Sequence, residues 1–281
     1  MNRAIYIHAG SGFHRFQTEL LWAKKAGFRA VGVDVGRIGM DENGYEVVKQ
    51  CRSLLDEEEM ACTQTHLDCY DPLLCSTVVK PEIEESIRRG VELTSILGAP
   101  TAVYHPRTAI SKGYDWRLSY EHNREALKPI LETAVKENVL VAVENIPIFP
   151  DCPQHRFYSS DPDDLCELVD SFGFAPIGVC WDTGHANLMS FDQPKVVRQL
   201  GRRILCTHIS SNFKEQDWHL LPIYGYLDFP KLMAAFRDIG YDRDLTLELR
   251  AVDDRAAASF YRLAFDSVTI LADLLAGKCE K

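Results

Sequence analysis

Gly178-Val-Cys-Trp-Asp-Thr-Gly-His-Ala-Asn-Leu188 opens as an apolar run and then sets a carboxylate and an imidazole three residues apart, with a glycine between them. The apolar half reads as a strand buried on both faces, and the pattern recurs along the chain. Strands are expected at residues 4–8, 30–35, 61–67, 101–105, 139–145, 177–183, 204–210 and 245–250. Between them apolar residues fall at helical spacing. Phe16 to Ala26 ends at Gly27, and Ile83, Ile87, Val91, Thr94 and Leu97 end at Gly98, both glycines standing where helix C-caps belong. Pro129 should kink the fourth helical segment, although the pattern Ala126, Leu127, Ile130, Leu131, Ala134 runs through it. Eight strand-then-helix units with near-continuous apolar strands imply an α/β fold, a single (β/α)8 TIM barrel domain over residues 1–281, with an open doubly wound sheet as the alternative.

The totals narrow the function classes. The chain has 281 residues, 46% hydrophobic and 26% charged, an ordinary globular composition. Its formal net charge of −10 and its scattered basic residues argue against a polyanionic partner such as nucleic acid. The N-terminal apolar run at residues 4–7 is too short for a signal-peptide core, and no later segment has membrane-spanning length. A cytoplasmic protein is expected. The nine cysteines include no C-x-x-C pair, and Cys62, Cys180 and Cys206 sit inside strand patterns. Reduced core residues are therefore expected rather than disulfides or soft-metal ligands.

Barrel enzymes carry their chemistry at the C-terminal ends of strands. Here His66, His105, Glu144, Asp182, His208 and Glu248 end six successive strands, with His185 and His219 just beyond strand ends. Glu144, Asp182, His208 and Glu248 would give three carboxylates and an imidazole, an oxygen-rich set suited to Mn²⁺, Mg²⁺, Co²⁺ or Zn²⁺. His66 and His105 would lie beside Glu144 as a second site or as supporting donors. Asp217-Trp-His219, in the long connection 211–227, could join His185 in a further cluster or simply order its loop. The other long connection, 146–160, follows the fifth strand, and long structured loops in compact domains are usually functional.

Taken together, Val141-Ala-Val-Glu-Asn145, Trp181-Asp-Thr-Gly-His185, Thr207-His-Ile-Ser210, Asp217-Trp-His219 with Pro222 and Gly225, and Leu247-Glu-Leu-Arg250 make the chain resemble the xylose-isomerase-like barrel superfamily. That superfamily holds sugar isomerases, ketose 3-epimerases, inosose dehydratases and the endonuclease IV group of apurinic endonucleases. The resemblance implies that Glu144, Asp182, His208 and Glu248 bind one divalent ion, Mn²⁺ leading. It further implies that Glu144 and Glu248 act as acid and base on opposite faces of a metal-bound cis-enediolate, and that His185 contacts substrate oxygens. It also implies two alternatives, a dehydratase-like lyase acting on a polyol or keto sugar, and an endonuclease IV-like phosphodiesterase. The latter would use all nine acids and histidines named above to hold three zinc ions. The chain departs from the ketose 3-epimerases in two places: Ile146-Pro-Ile-Phe-Pro150 stands where they carry a glutamate, and Phe213-Lys214 where they carry an arginine. The glycine-rich element is altered too, reading Pro222-Ile-Tyr-Gly-Tyr226. A homodimer is expected by analogy.

The expected partner is a small sugar, sugar phosphate or polyol. Candidate phosphate-binding cations are Arg107, Lys112, Arg156, Lys214 and Arg250, while Gly10-Ser-Gly12 lacks the lysine and spacing of a phosphate-cradling loop. Phe149, Phe157, Tyr158, Trp218 and Tyr224 could stack on a sugar face; Trp181 reads as core.

Overall fold

The computed structural model describes residues 1–9, 12–36, 38, 41, 43–69, 81–108, 115–150, 157–173, 175–250 and 253–278. Eight parallel strands lie in the order β7-β6-β5-β4-β3-β2-β1-β8. They are β1 (Arg3–His8), β2 (Ala30–Asp34), β3 (Ala61–His66), β4 (Thr101–Tyr104), β5 (Leu140–Glu144), β6 (Ile177–Asp182), β7 (Ile204–His208) and β8 (Leu245–Leu247). The two ends of the sheet meet: Ile209 bridges Leu247, its N–H donating to the Thr246 carbonyl at 2.8 Å while the Glu248 N–H donates to the Ile209 carbonyl at 3.1 Å. Those bonds close the (β/α)8 barrel that the strand count implied.

Around it pack α1 (Phe13–Ala26), α2 (Gly44–Glu57), α3 (Pro81–Ile96), α4 (Trp116–Glu137), α5 (Pro162–Asp170), α6 (Thr183–Leu188), α7 (Gln193–Leu200), α8 (Phe229–Asp238) and α9 (Asp254–Leu275). Aspartate starts many of them. Asp115, Asp161, Asp182, Asp192, Asp228 and Asp253 each accept a backbone N–H of the first turn, satisfying a donor that the helix itself cannot. Proline fills an early position in α5, α7 and α8, where its missing N–H costs nothing. Gly27 closes α1 at φ 119°, a left-handed conformation with the penalty that glycine avoids. α4 continues past Pro129 to Glu137 instead of ending there, because its buried stripe of Ala126, Leu127, Ile130, Leu131 and Ala134 holds both halves against the barrel.

Two apolar layers result. The large one lies between the outer faces of the strands and the helices. The small one, Val103, Ala142, Cys180 and Cys206, comes from four neighbouring strands. Side chains alternate along a strand, so the residue two positions on points the same way. For this inner layer those residues are His105, Glu144, Asp182 and His208. The small layer is thus the floor on which the polar site stands.

Candidate metal centre at the barrel mouth

Asp182, the last residue of β6, is fully buried and divides its carboxylate between two tasks. Oδ1 accepts the His185 N–H at 2.6 Å and caps α6. Oδ2 is buried with no hydrogen-bond partner among the described residues. His208 ends β7, fully buried; its Nε2 stands 3.3 Å from the Tyr6 hydroxyl, which Gln64 Nε2 also approaches at 3.2 Å. That contact turns Nδ1 toward Glu144 Oε1 at 3.2 Å and Glu248 Oε2 at 3.1 Å. One ligand atom each from Glu144, Asp182, His208 and Glu248 lies within 4.8 Å of the others.

Of these, Asp182 Oδ2, His208 Nδ1 and Glu248 Oε2 are all buried without a hydrogen bond among the described residues. Buried polar atoms are almost always satisfied, so several orphans converging on one point fit a divalent cation. The electrostatics agree. Burial pushes the Asp182 carboxyl up to about 7 against the pull of His185, and Glu144, Glu248 and Asp217 push it the same way. Burial also opposes ionisation of Glu144, yet His208 and His105 hold it well below the usual carboxylate range. Without a cation, protons and imidazoles must supply the positive charge that three clustered carboxylates require.

The other residues singled out in the sequence gather on two flanks. On one, His66 Nε2 and His105 Nε2 face each other at 3.1 Å, and Glu144 Oε2 lies 3.5 and 3.1 Å from them. Glu144 therefore turns one oxygen to the main set and the other to this pair. On the second flank, His185 Nε2 and His219 Nε2 share Asp217 Oδ2 at 3.2 and 2.9 Å. Each of these histidines directs Nδ1 to a backbone carbonyl, Asn145 at 2.8 Å for His185 and Glu248 at 3.2 Å for His219. Asp217 Oδ1 is buried without a hydrogen-bond partner among the described residues. The Asp-x-His element therefore does more than tie down its own loop: it meets His185 across the barrel mouth, and these three also lie within metal-chelating distance.

Several sequence expectations change. Gly184, between Asp182 and His185, is helical. It lies in the first turn of α6, where a Cβ would come within 2.3 Å of Ser210 Oγ. The glycine is needed because β6 and β7 bring these backbones so close. Phe157 and Tyr158 are buried, Tyr158 donating its hydroxyl to the Asp164 carbonyl, so they belong to the core instead of a stacking surface. Trp181 is core, as expected, with its indole N–H directed to Gln193 Oε1. Trp218 and Tyr224 are exposed, and Arg250 is exposed beside Leu249. Lys214 reaches Ser190 Oγ at 3.4 Å and Arg107 pairs with Glu84. Lys112 and Arg156 lie outside the described residues.

Sequence reasoning missed three supports. Tyr6 and Gln64 orient His208 from below, and Gly32 makes room, since a Cβ there would meet the Tyr6 ring at 3.0 Å. Asn145 clamps Asp182, its Nδ2 donating to the Asp182 carbonyl at 2.9 Å and its Oδ1 accepting the Asp182 N–H at 2.7 Å. Cys69 sits beside His66 and His105. The inward parity of Tyr6 and Gln64 was readable in the strands; that of Asn145 and Cys69, beyond strand ends, was not.

A barrel with metal-ligand residues at the C-terminal ends of its strands defines a broad class of proteins. Within it, a family model described as xylose isomerase-like TIM barrel matches residues 20–264, and the chain belongs to that family. An uncharacterized protein, y4fM, of Sinorhizobium fredii is 26% identical over 207 residues, 70% of this chain and 62% of the relative. The chain spans less than two thirds of the length of the curated relatives it matches, 62% and 57%. Among solved structures, a D-tagatose 3-epimerase-like protein superposes with TM-score 0.78 at 22% identity, covering 100% of this chain and 99% of that one. D-psicose 3-epimerase in the presence of D-fructose superposes with TM-score 0.78 at 16% identity, covering 99% and 100%. Among the described residues no helix is long and apolar enough to cross a membrane.

Proposed function

We propose that the protein is a divalent-metal-dependent isomerase or epimerase of a small sugar or sugar phosphate, working in the cytoplasm as a single barrel domain over residues 1–281 and, by analogy with other barrel enzymes of this kind, as a homodimer. The observation that carries this reading is the convergence of Glu144, Asp182, His208 and Glu248 on one point, with three of their buried atoms left unbonded. These four would hold the ion, Mn²⁺ first among Mn²⁺, Zn²⁺, Mg²⁺ and Co²⁺ for an oxygen-rich set. A divalent ion there would polarise a carbonyl and an adjacent hydroxyl, acidifying the C–H between them.

The chain's own groups would do the rest. Glu144 at the end of β5 and Glu248 just past β8 come from strands on different sides of the barrel and approach the same His208 nitrogen. One can take a proton from one face of a substrate seated between them and the other can return it to the opposite face. His185, its Nδ1 fixed by the Asn145 carbonyl, would contact substrate oxygens through Nε2 by exchanging its Asp217 partner for the substrate. The buried floor excludes water from beneath, which strengthens each of these charges. The structural similarity to sugar 3-epimerases supports the same reading.

The test is incorporation of deuterium from solvent into a panel of ketoses, with and without chelator. Exchange that depends on metal and falls about 10²- to 10⁴-fold in Glu144→Gln or Glu248→Gln supports it; no exchange with any ketose defeats it. Convergence of all nine acids and histidines favours one further reading, an endonuclease IV-like phosphodiesterase with three zinc ions. Nicking of abasic DNA that vanishes on chelation would establish that alternative, against which stands the net charge of −10. A dehydratase-like lyase would instead release water from a polyol or keto sugar in the same panel.

A further inference from the structure

We propose that His8 is a substrate-binding residue that holds an uncharged hydroxyl of a six-carbon ketose, at the end of the sugar remote from its carbonyl; this rests on the isomerase reading above. His8 ends β1 as His66 ends β3 and His208 ends β7, and it pairs in register with Asp34, which pairs in turn with His66. Side chains alternate along a strand, so His8 has the facing of Tyr6. The Tyr6 ring packs edge-on to those of His66 and His208, with centroids 6.4 and 5.1 Å away. His8 therefore stands on the inner side of the sheet, about 6–7 Å further toward the mouth than Tyr6. None of the four residues that would hold the ion comes from this β1–β2 side of the barrel.

A buried carboxylate fixes the ring. Glu19 of α1 is only 2% exposed; its Oε2 accepts the His8 backbone N–H at 2.7 Å and lies 3.2 Å from His8 Nδ1, while Arg15 Nε donates to its Oε1 at 2.7 Å. Burying a carboxylate costs free energy that such partners must offset. The backbone N–H and Arg15 already tie α1 to β1, and what the ring contact adds is orientation. With Nδ1 turned to Glu19, Nε2 is directed away from it, on a side chain 41% exposed, and has no hydrogen-bond partner among the described residues. An imidazole fixed through Nδ1 and open at Nε2 is poised to meet a ligand. The charges around it choose that ligand. Glu19 and Asp34 face His8, and the neighbouring cation, Arg15, is already shared between Glu19 and Asp254. Two carboxylates with their cation engaged disfavour a phosphate. A hydroxyl suits the position, because it donates to a bare Nε2 and accepts from a protonated one.

The experiment measures solvent deuterium exchange by the full chain with Mn²⁺ and three probes: D-fructose, the four-carbon ketose erythrulose, which lacks the remote hydroxyls, and D-fructose 6-phosphate. In His8→Ala the ratio of kcat/KM for D-fructose over erythrulose should fall about 10- to 100-fold, the worth of one hydrogen bond to a charge-assisted group. Glu19→Gln, which keeps an acceptor for the backbone N–H and loses the charge, should show part of the same fall. A ratio unchanged while both rates drop would mean a structural role and overturn the proposal. A preference for D-fructose 6-phosphate that His8→Ala abolishes would overturn the uncharged hydroxyl. A second measurement needs no turnover: in Glu248→Gln, D-fructose should shift the ¹⁵N resonance of His8 Nε2, identified by its absence in His8→Ala. If the wild type exchanges no ketose, the isomerase reading falls, and an unshifted His8 resonance then overturns this inference as well.

Discussion

Gly184 shows how narrow the tolerances are at single residues. Its position in α6 is open to any residue by backbone angle, so the constraint is contact alone: a Cβ would meet Ser210 Oγ at 2.3 Å and Asp182 Oδ1 at 3.3 Å. Gly184→Ala should therefore cost about 1–3 kcal/mol by overpacking. In a Ser210→Ala background, where the clashing oxygen is gone, the cost should drop below about 1 kcal/mol. Urea unfolding of the four proteins measures it; an equal cost in both backgrounds would show that the strain is relieved elsewhere. Asn145 and Asp182 illustrate the same economy, one amide fixing the backbone while the carboxylate caps a helix and keeps one oxygen free.

Elements are joined at the barrel mouth by buried charge. Glu19 of α1 is buried, accepts the His8 backbone N–H at 2.7 Å, lies 3.2 Å from His8 Nδ1, and also takes Arg15, which reaches Asp254 at the start of α9. The hydrogen bond to Glu19 raises the His8 imidazole above its ordinary 6.5. Burial opposes ionisation of Glu19, but His8 and Arg15 still hold it below its ordinary 4.5. The stabilisation from His8 is thus complete below about pH 6.5 and fades as pH rises through the raised folded value. That from Glu19 is complete above about pH 4.5 and fades as pH falls through the lowered one. Thermal melts across pH should show the wild type losing its advantage over His8→Asn toward alkaline pH and over Glu19→Gln toward acid pH. Opposite slopes would contradict the pairing. At this scale the sequence was read closely: every expected strand exists, and no end differs by more than three residues. The short α6 went unseen because six residues carry too little periodicity to be told from a loop.

The whole barrel assembles its site from seven strands and the segments that follow them, so its stability and its metal should be linked. A ligand that binds the native chain alone, present at 100 times its dissociation constant, stabilises by about 2.7 kcal/mol. Scanning calorimetry of chelator-treated protein should accordingly show the melting temperature rising by about 5–10 °C on adding Mn²⁺. Asp182→Asn, which keeps an oxygen to cap α6 but loses the charge, should abolish most of that rise. A melting temperature indifferent to every divalent ion would remove the basis for a metal centre.

What the sequence determined by itself was the ladder: alternating apolar strands and amphipathic helices, and on each successive strand the residue type at its C-terminal end. Those follow from local periodicity, which a chain carries in its order of residues. Only the tertiary structure decided how the ends combine. Closure through Ile209 and Leu247 brings Glu248 back to His208, and the shared register of β5, β6 and β7 splits the two oxygens of Glu144 between neighbouring histidine sets. It also carries Cys69 to a pair of imidazoles and buries Phe157 and Tyr158. Orientation of a side chain past a strand end depends on what packs against it across the barrel, and no local pattern encodes that.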